Sequence, residues 1–374
     1  MKKAVLGILI IAAIVGLLVL LIQRQTQRDA EILANADGKP VVKIGVVYPM
    51  SGNAAFFGDG AKVAFKLFQE YVESMQTKYK YEIIFEDSQA QIAVGVKAAM
   101  RLISLSKIDV LVDCFSGVSA ANSQIAEKYK TPHLAYAQNI KISQGFYNWR
   151  VVTSSDAVGA KMVETLKQKD IRDIAIIVKN ADGPISMLNG FMKEKDASIN
   201  IKSTYYINPE ERDFRILLQK VKSTNPQIII LVTQTPDTDI ILRQAKEQGI
   251  SIPFTSMQSY SMLENKSLAE GDWYVDVGMV PDSEWLKRYN AITDDSNVNF
   301  ADGFYSVLQV IFNTYESASG DEKISAEEFI NNLSASDGLD TVLGKLTYDK
   351  QNQILDTPAS LRIIKNGRIE LVEE

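Results

Sequence analysis

Hydrophobic positions along the chain form short apolar blocks, separated by longer segments in which apolar residues recur every three to four positions. Residues 41–48 (VVKIGVVY) are one such block, and residues 61–75 then place Val63, Phe65, Leu67, Phe68, Tyr71 and Val72 at helical spacing. The alternation continues with strands at 81–86, 109–113 and 133–137 and helices at 91–106 and 120–128. Strand and helix in turn predict a parallel sheet with helices on both faces.

The series then begins again. Helices at 156–168, 186–195, 213–223 and 236–248 intervene between strands at 174–179, 204–207, 227–233 and 253–257. Blocks such as IAIIVK and QIIILVT lack polar alternation, as strands buried on both faces do. A second α/β domain of similar plan is expected. A last block at 273–279 precedes helices at 281–292, 301–318 and 325–335 that bring no strands of their own. Apolar helix faces need a sheet to cover, so the chain is expected to return to the first domain and to cross back near Leu346, three crossings in all.

Residues 4–22 are uninterruptedly apolar. At 1.5 Å per residue such a run spans roughly 28 Å, close to the hydrocarbon thickness of a bilayer. Lys2 and Lys3 would also suit a cleavable secretory signal, but the run is longer than a usual signal core and leads into Gln23, Arg24 and Gln25 instead of a small-residue cleavage site. An uncleaved single-pass anchor is the expectation, and a cleaved signal the alternative. The domain plan is residues 1–40 as anchor or signal and linker, 41–150 with 280–346 as lobe 1, and 151–279 with 347–374 as lobe 2.

Composition narrows the chemistry. The formal net charge of −6 and the lack of a basic stripe disfavour a nucleic-acid partner. With Cys114 as the only cysteine and His133 as the only histidine, an internal disulfide and a His-rich metal site are both excluded. No Walker A loop, HExxH or GxSxG occurs, and neither metal nor cofactor is expected.

Several segments together resemble a known family. IGVVYPMSGNAAFFGDG (44–60) is similar to the opening strand and P-x-S/T-G…G loop of type I periplasmic solute-binding proteins of the leucine, isoleucine and valine-binding kind. Residues 109–139 resemble that family's third strand, Ser-rich turn, helix and next strand; ILRQA (241–245) resembles a second-lobe helix, and GKLTYD (344–349) its element before the final strands. The resemblance spans residues 41–372. It implies two Rossmann-like lobes joined by a three-stranded hinge, with hinge positions near Arg150, Met279 and Leu346 and a ligand enclosed between the lobes.

The turn after 109–113 holds Ser116, Gly117 and Ser119 ahead of the helix predicted from Ala120, where Ser119 reads as the N-cap. A strand-to-helix turn also offers unpaired N–H groups and the positive end of a helix dipole to a carboxylate. The resemblance implies that Ser116 donates to a ligand carboxylate, that Ala137 and Asn139 stand where the same carboxylate is contacted, and that Phe57 stands where an aromatic often covers the ligand, an ordinary loop-anchoring role being its alternative. It also shows departures. Gln258 stands where amino-acid binders carry a carboxylate for the ammonium, Gln234 where an aromatic is common, and Gly183-Pro184 where an aromatic-Gly pair is usual. An amide is a dipole without net charge, so a buried ammonium would lose a charge-assisted partner. Asp182 and Asp237 are candidates for that charge, with loop or helix-capping roles preferred for both. His133, Cys114 and Tyr136 read as core residues, and no third group is evident that would make Ser116 and His133 a catalytic pair.

The expectation is a monomeric, non-enzymatic, extracytoplasmic solute-binding protein held at the cell membrane, with its soluble part periplasmic or extracellular. It would capture an amino acid or related carboxylate or amide by lobe closure and deliver it to an ABC importer whose permease and ATPase are separate chains. The alternative is a ligand-independent envelope regulator that uses the same fold as a protein-interaction module.

Overall fold

The computed structural model describes residues 38–278, 283–293, 300–320, 322–336 and 338–372. The apolar run at 4–22 and the hinge position at Met279 lie outside the described residues. Among the described residues no helix is long and apolar enough to cross a membrane.

The first lobe is built from β1 (Val41–Tyr48), α1 (Phe56–Glu73), β2 (Lys80–Asp87), α2 (Ile92–Arg101), β3 (Val110–Cys114), α3 (Ser116–Tyr129), β4 (His133–Tyr136) and β5 (Asn148–Val151). Helices α8 (Glu284–Thr293), α9 (Ala301–Glu316) and α10 (Ala326–Ala335) cover the same sheet, which ends in β11 (Leu339–Thr341), β12 (Gly344–Asp349) and β13 (Ile354–Asp356). The strand order is β11-β12-β13-β5-β4-β3-β1-β2. Period-two alternation separates its faces. Val42, Ile44, Val46 and Tyr48 join Phe304, Leu308, Ile311 and Phe329 in one core, while Val47 and Leu111 face Ala98, Leu102 and Val118 in another.

The second lobe comprises α4 (Ser155–Gln168), β6 (Asp173–Lys179), α5 (Asp182–Glu194), β7 (Asn200–Ile207), α6 (Arg215–Ser223), β8 (Ile228–Val232), α7 (Asp237–Glu247), β9 (Phe254–Ser256) and β10 (Trp273–Asp276), with β14 (Ser360–Lys365) and β15 (Arg368–Leu371). Its parallel sheet runs β7-β6-β8-β9, and a parallel Met257–Val275 bridge leads on to the β10-β14-β15 sheet. Helices α4 and α5 pack backbone to backbone. A Cβ on Gly190 would lie 2.1 Å from the Ser155 carbonyl oxygen, and one on Gly159 would lie 2.5 Å from the Gly190 carbonyl carbon. Gly190→Ala is therefore expected to cost at least about 1–3 kcal/mol, by forcing these helices apart; urea unfolding of the variant checks this.

Three segments connect the lobes: the one after Val151, the one after Asp276 and the one after Asp356. Thr153 and Thr357 are hydrogen-bonded through their hydroxyls. The Gly278 N–H donates to Thr153 Oγ1 at 2.9 Å, so all three segments meet at one point. The third crossing is a correction to the expected one near Leu346. Leu346 pairs with Leu339 inside the first sheet, and Ile354 pairs with Arg150, so the chain changes lobe only at 357–359.

Strand β5 was not among the predicted strands, because its apolar pattern is broken by Asn148 and Arg150. Both are buried with partners: Asn148 Nδ2 donates to the Gln144 carbonyl at 2.8 Å, and Arg150 Nε donates to Ser143 Oγ at 2.8 Å.

His133 is a satisfied core residue, as its sequence setting suggests. Nδ1–H donates to Asn148 Oδ1 at 2.9 Å, and Nε2 lies 2.9 Å from Asp113 Oδ1. With both ring nitrogens facing acceptors, the imidazolium is the form that fits. Burial alone would lower its pKa, but the Asp113 charge and the two hydrogen bonds outweigh burial and hold it above the usual 6.5. The contribution of this group to stability is thus complete below pH 6.5 and is lost as pH rises through the folded-state value. As the single histidine it gives one imidazole C2–H resonance, expected to titrate with a midpoint above 6.5 in the folded chain.

Candidate functional site

In both lobes the loops that border the cleft leave strand ends next to a reversal of strand order, β1/β3 in one and β6/β8 in the other. Such switch points are where open α/β sheets bind ligands, because adjacent loops diverge and leave a crevice. A cavity of about 380 Å³ lies there, within the range of small-molecule sites.

Six of the seven residues singled out in the sequence border it: Phe57, Ser116, Gly117, Ala137, Gln234 and Gln258. Asn139 does not. Its Oδ1 accepts from the Lys141 N–H at 3.0 Å, capping the short helix Ile140–Ile142. The loop position at the cavity is taken by Gln138. Its N–H donates to Ser116 Oγ at 3.3 Å, its Nε2 donates to the Thr153 carbonyl at 2.7 Å, and its Oε1 accepts from Ser155 Oγ at 2.9 Å. The cavity floor is thereby tied to the first crossing segment.

Helix α3 begins at Ser116 rather than at Ala120, so Ser119 lies within its first turn and is not the cap. The capping position is Phe115, whose side chain makes no cap hydrogen bond. The first-turn N–H groups therefore point at the cavity without a side-chain acceptor. Ser116 is only 8% exposed and accepts from Gln138, and its own O–H has no acceptor among the described residues. Across the cleft, α5 also starts uncapped, at Asp182. A Cβ on Gly183 would lie 3.6 Å from Ser116 Oγ, and one on Gly117 would lie 3.5 Å from Asp182 Oδ2. Two helix N-termini from opposite lobes thus confront each other; each dipole contributes roughly half a positive charge, and at α5 the Asp182 carboxylate offsets it.

Among the described residues Asp182 is the only charged one bordering the cavity, and it stands exposed at the mouth. Asp237 is elsewhere: fully buried, it meets Lys179 Nζ at 2.7 Å and Arg212 Nη1 at 3.0 Å and serves the second lobe's own structure. Cys114 does border the cavity, but burial pushes its thiol well above the ordinary value and leaves it neutral and unreactive.

Most of the remaining walls were not visible in the sequence, Pro184 being marked there as a departure and Tyr136 as a core residue. Phe115, Tyr136 and Phe300 join Phe57 on the first-lobe side; Pro184, Met187, Met257 and Met262 lie on the other. Tyr136 is both packing and lining, since a Cβ on Gly303 would sit 2.2 Å from its ring. Four bordering residues hold backbones at positive φ: Ala90 at 55°, Phe115 at 72°, Gln258 at 67° and Phe300 at 62°. Bulky side chains rarely adopt this region, and strain of this kind gathers at binding sites.

A profile described as periplasmic binding protein matches residues 41–368. The chain belongs to that family. Its fold is the type I variety, as structural comparison shows. A leucine binding protein from Thermotoga maritima superposes with a TM-score of 0.78 at 20% identity, over 89% of this chain and 98% of that one. A solute binding protein of an ABC transporter from Rhodopseudomonas palustris, in complex with 3,4-dihydroxy benzoic acid, does so with 0.79 at 18% identity, over 89% and 96%. An amino acid binding protein of Pseudomonas aeruginosa is 21% identical over 206 residues, 52% of this chain and 51% of that protein. The chain thus spans about half the length of that relative.

Proposed function

We propose that this family member captures a small solute bearing a carboxylate or amide between its lobes and delivers it to separate permease and ATPase chains of an ABC importer. On this reading it works outside the cytoplasm, tethered through residues 4–22. The observation that carries the reading is the pair of uncapped helix N-termini facing each other from opposite lobes. An anion bound between them touches both lobes, so it binds the closed form more tightly than the open one and shifts the population toward closure. Amino-acid and benzoic-acid ligands in the names of related proteins support a small carboxylate.

The second-lobe face favours neutral groups over an ammonium. Gln234 and Gln258 border the cavity, neither amide side chain is engaged in a hydrogen bond among the described residues, and the one carboxylate stands at the mouth in solvent. A melting screen tests this. Non-cationic carboxylates or amides are expected to stabilise the chain more than leucine, isoleucine or valine, with the effect reduced in Gln258→Ala. The reading of the second lobe fails if a branched-chain amino acid stabilises best and Gln258→Ala leaves that effect unchanged. Stabilisation by no solute at all would favour the ligand-independent regulator.

A further inference from the structure

The cavity walls say more than its polar ends. Building on the solute-binding reading above, we propose that the solute is a flat aromatic carboxylate carrying a neutral polar substituent, and that Phe115 and Phe300 are the residues that select it.

The first-lobe wall carries a chain of four touching rings beside the aliphatic Ile92 and Val118. Phe57 meets Phe115 edge-on at 4.9 Å between centroids and stacks on Phe300 at 5.1 Å, while Phe300 meets Tyr136 edge-on at 5.8 Å. These rings come from three separate places: the start of α1, the β3–α3 turn with β4, and the residue before α9. Phe115 and Phe300 reach their positions only through left-handed backbones, φ 72° and 62°, that a bulky residue rarely adopts. A fold that merely needed apolar surface here could place it without that strain. The rings present faces and edges together, an arrangement that rewards a further ring by quadrupole contact beyond area burial and gives a branched aliphatic chain no such return.

The opposite wall is complementary. Met187, Met257 and Met262 supply thioethers, which favour aromatic edges, and Pro184 adds a flat apolar surface. The carboxylate end is met by the α3 N-terminus and by the Ser116 hydroxyl, whose proton has no acceptor among the described residues. Opposite it, the unengaged amides of Gln234 and Gln258 offer both donors and acceptors, suited to a hydroxyl or carbonyl on the far side of the ring. Among the described residues no lysine, arginine or histidine borders the cavity, which suits one carboxylate and not two.

Calorimetric titration of the full chain in detergent tests the class with four probes: benzoate, 4-hydroxybenzoate, cyclohexanecarboxylate and L-leucine. Cyclohexanecarboxylate keeps the charge and the carbon count of benzoate but is neither flat nor conjugated. Benzoate is expected to bind about three- to tenfold more tightly than its saturated counterpart, 4-hydroxybenzoate more tightly still, and leucine weakest. Phe300→Ala should erase the benzoate preference, and Phe300→Leu, which keeps most of the bulk should the alanine variant fold poorly, should erase it too. Equal or tighter binding of cyclohexanecarboxylate or leucine overturns the aromatic class while leaving solute binding in place. So does silence with all four probes when the chain retains some other solute. If the chain retains no solute of any kind, the solute-binding reading itself falls, and this inference with it.

Discussion

Replacing Arg362 by methionine is expected to lower the stability of the folded chain by about 3–5 kcal/mol at neutral pH. Arg362 lies just past the third crossing and is almost completely buried. Its Nη1 meets Asp276 Oδ2 at 3.0 Å, its Nη2 donates to the Val277 carbonyl at 2.7 Å, and its Nε donates to Ser360 Oγ at 2.9 Å. It therefore clamps the second and third crossing segments together. Truncation leaves Asp276, only 1% exposed, as an uncompensated buried charge, which is the large part of the expected loss. Adding Asp276→Asn removes that charge, so the double variant should recover much of the deficit. Urea unfolding of the two single variants and the double variant, as a mutant cycle, measures the coupling.

Asp302→Asn should act in the opposite direction, gaining about 3 kcal/mol at pH 7.5 and almost nothing near pH 4. Asp302 is buried at the start of α9, and burial pushes its carboxyl from 3.8 up to about 6; the charge of Arg362 and the Gly303 N–H oppose this, while Asp276 adds to it. A carboxyl raised in the folded state contributes stability that is complete below pH 3.8 and is lost as pH rises through about 6. Above that value the ionised side chain is a constant penalty, which the amide lacks. Asparagine keeps a carbonyl oxygen for the Gly303 N–H that now donates to Asp302 Oδ1 at 2.7 Å. Denaturant unfolding at the two pH values separates the variants, and an equal difference at both would contradict the assigned cause.

Much of the fold was legible because doubly buried strands leave a plain mark. Runs such as 174–179 and 228–232 carry apolar residues at both parities, and they lie at the centre of the second lobe with a core on each face. Where strands lie near a sheet's margin the mark fades. Residues 344–349 and 354–356 mix polar and apolar positions, and nothing local says which sheet they extend; that is why the third crossing was expected about ten residues too early. The start of α3 was misplaced for a related reason. Ser119 has the chemistry of a cap, whereas the residue in the capping position, Phe115, has none and is held there by the surrounding aromatic packing.

The candidate site was legible on its backbone side and obscure on its apolar side. Ser116 and Gly117 follow a strand and open a helix, a pattern that announces unpaired N–H groups. Asn139 was misread because one step along the loop exchanges a cavity-facing amide for a helix-capping one, and both residues carry amides. Phe300 could not be found locally, since it reaches the cavity only when the chain returns to the first lobe after completing most of the second. Neither could the role of Phe115, which depends on a backbone conformation that its residue type disfavours.

The central claim, that the cleft takes up a small carboxylate or amide, is tested most directly by mass spectrometry of what the protein retains. The full chain and a Gly117→Trp variant are each equilibrated with a small-molecule extract, washed and denatured. Gly117 suits this purpose because a Cβ there meets its nearest neighbour, Ile92 Cδ1, at 3.3 Å, so the end of one flexible side chain need yield only slightly, and the cavity supplies the space for the indole. The expected result is a carboxylate- or amide-bearing molecule released from the wild-type chain at about one per protein and absent from the variant. Release of the same molecules from both, or of none from the wild type, would contradict the account.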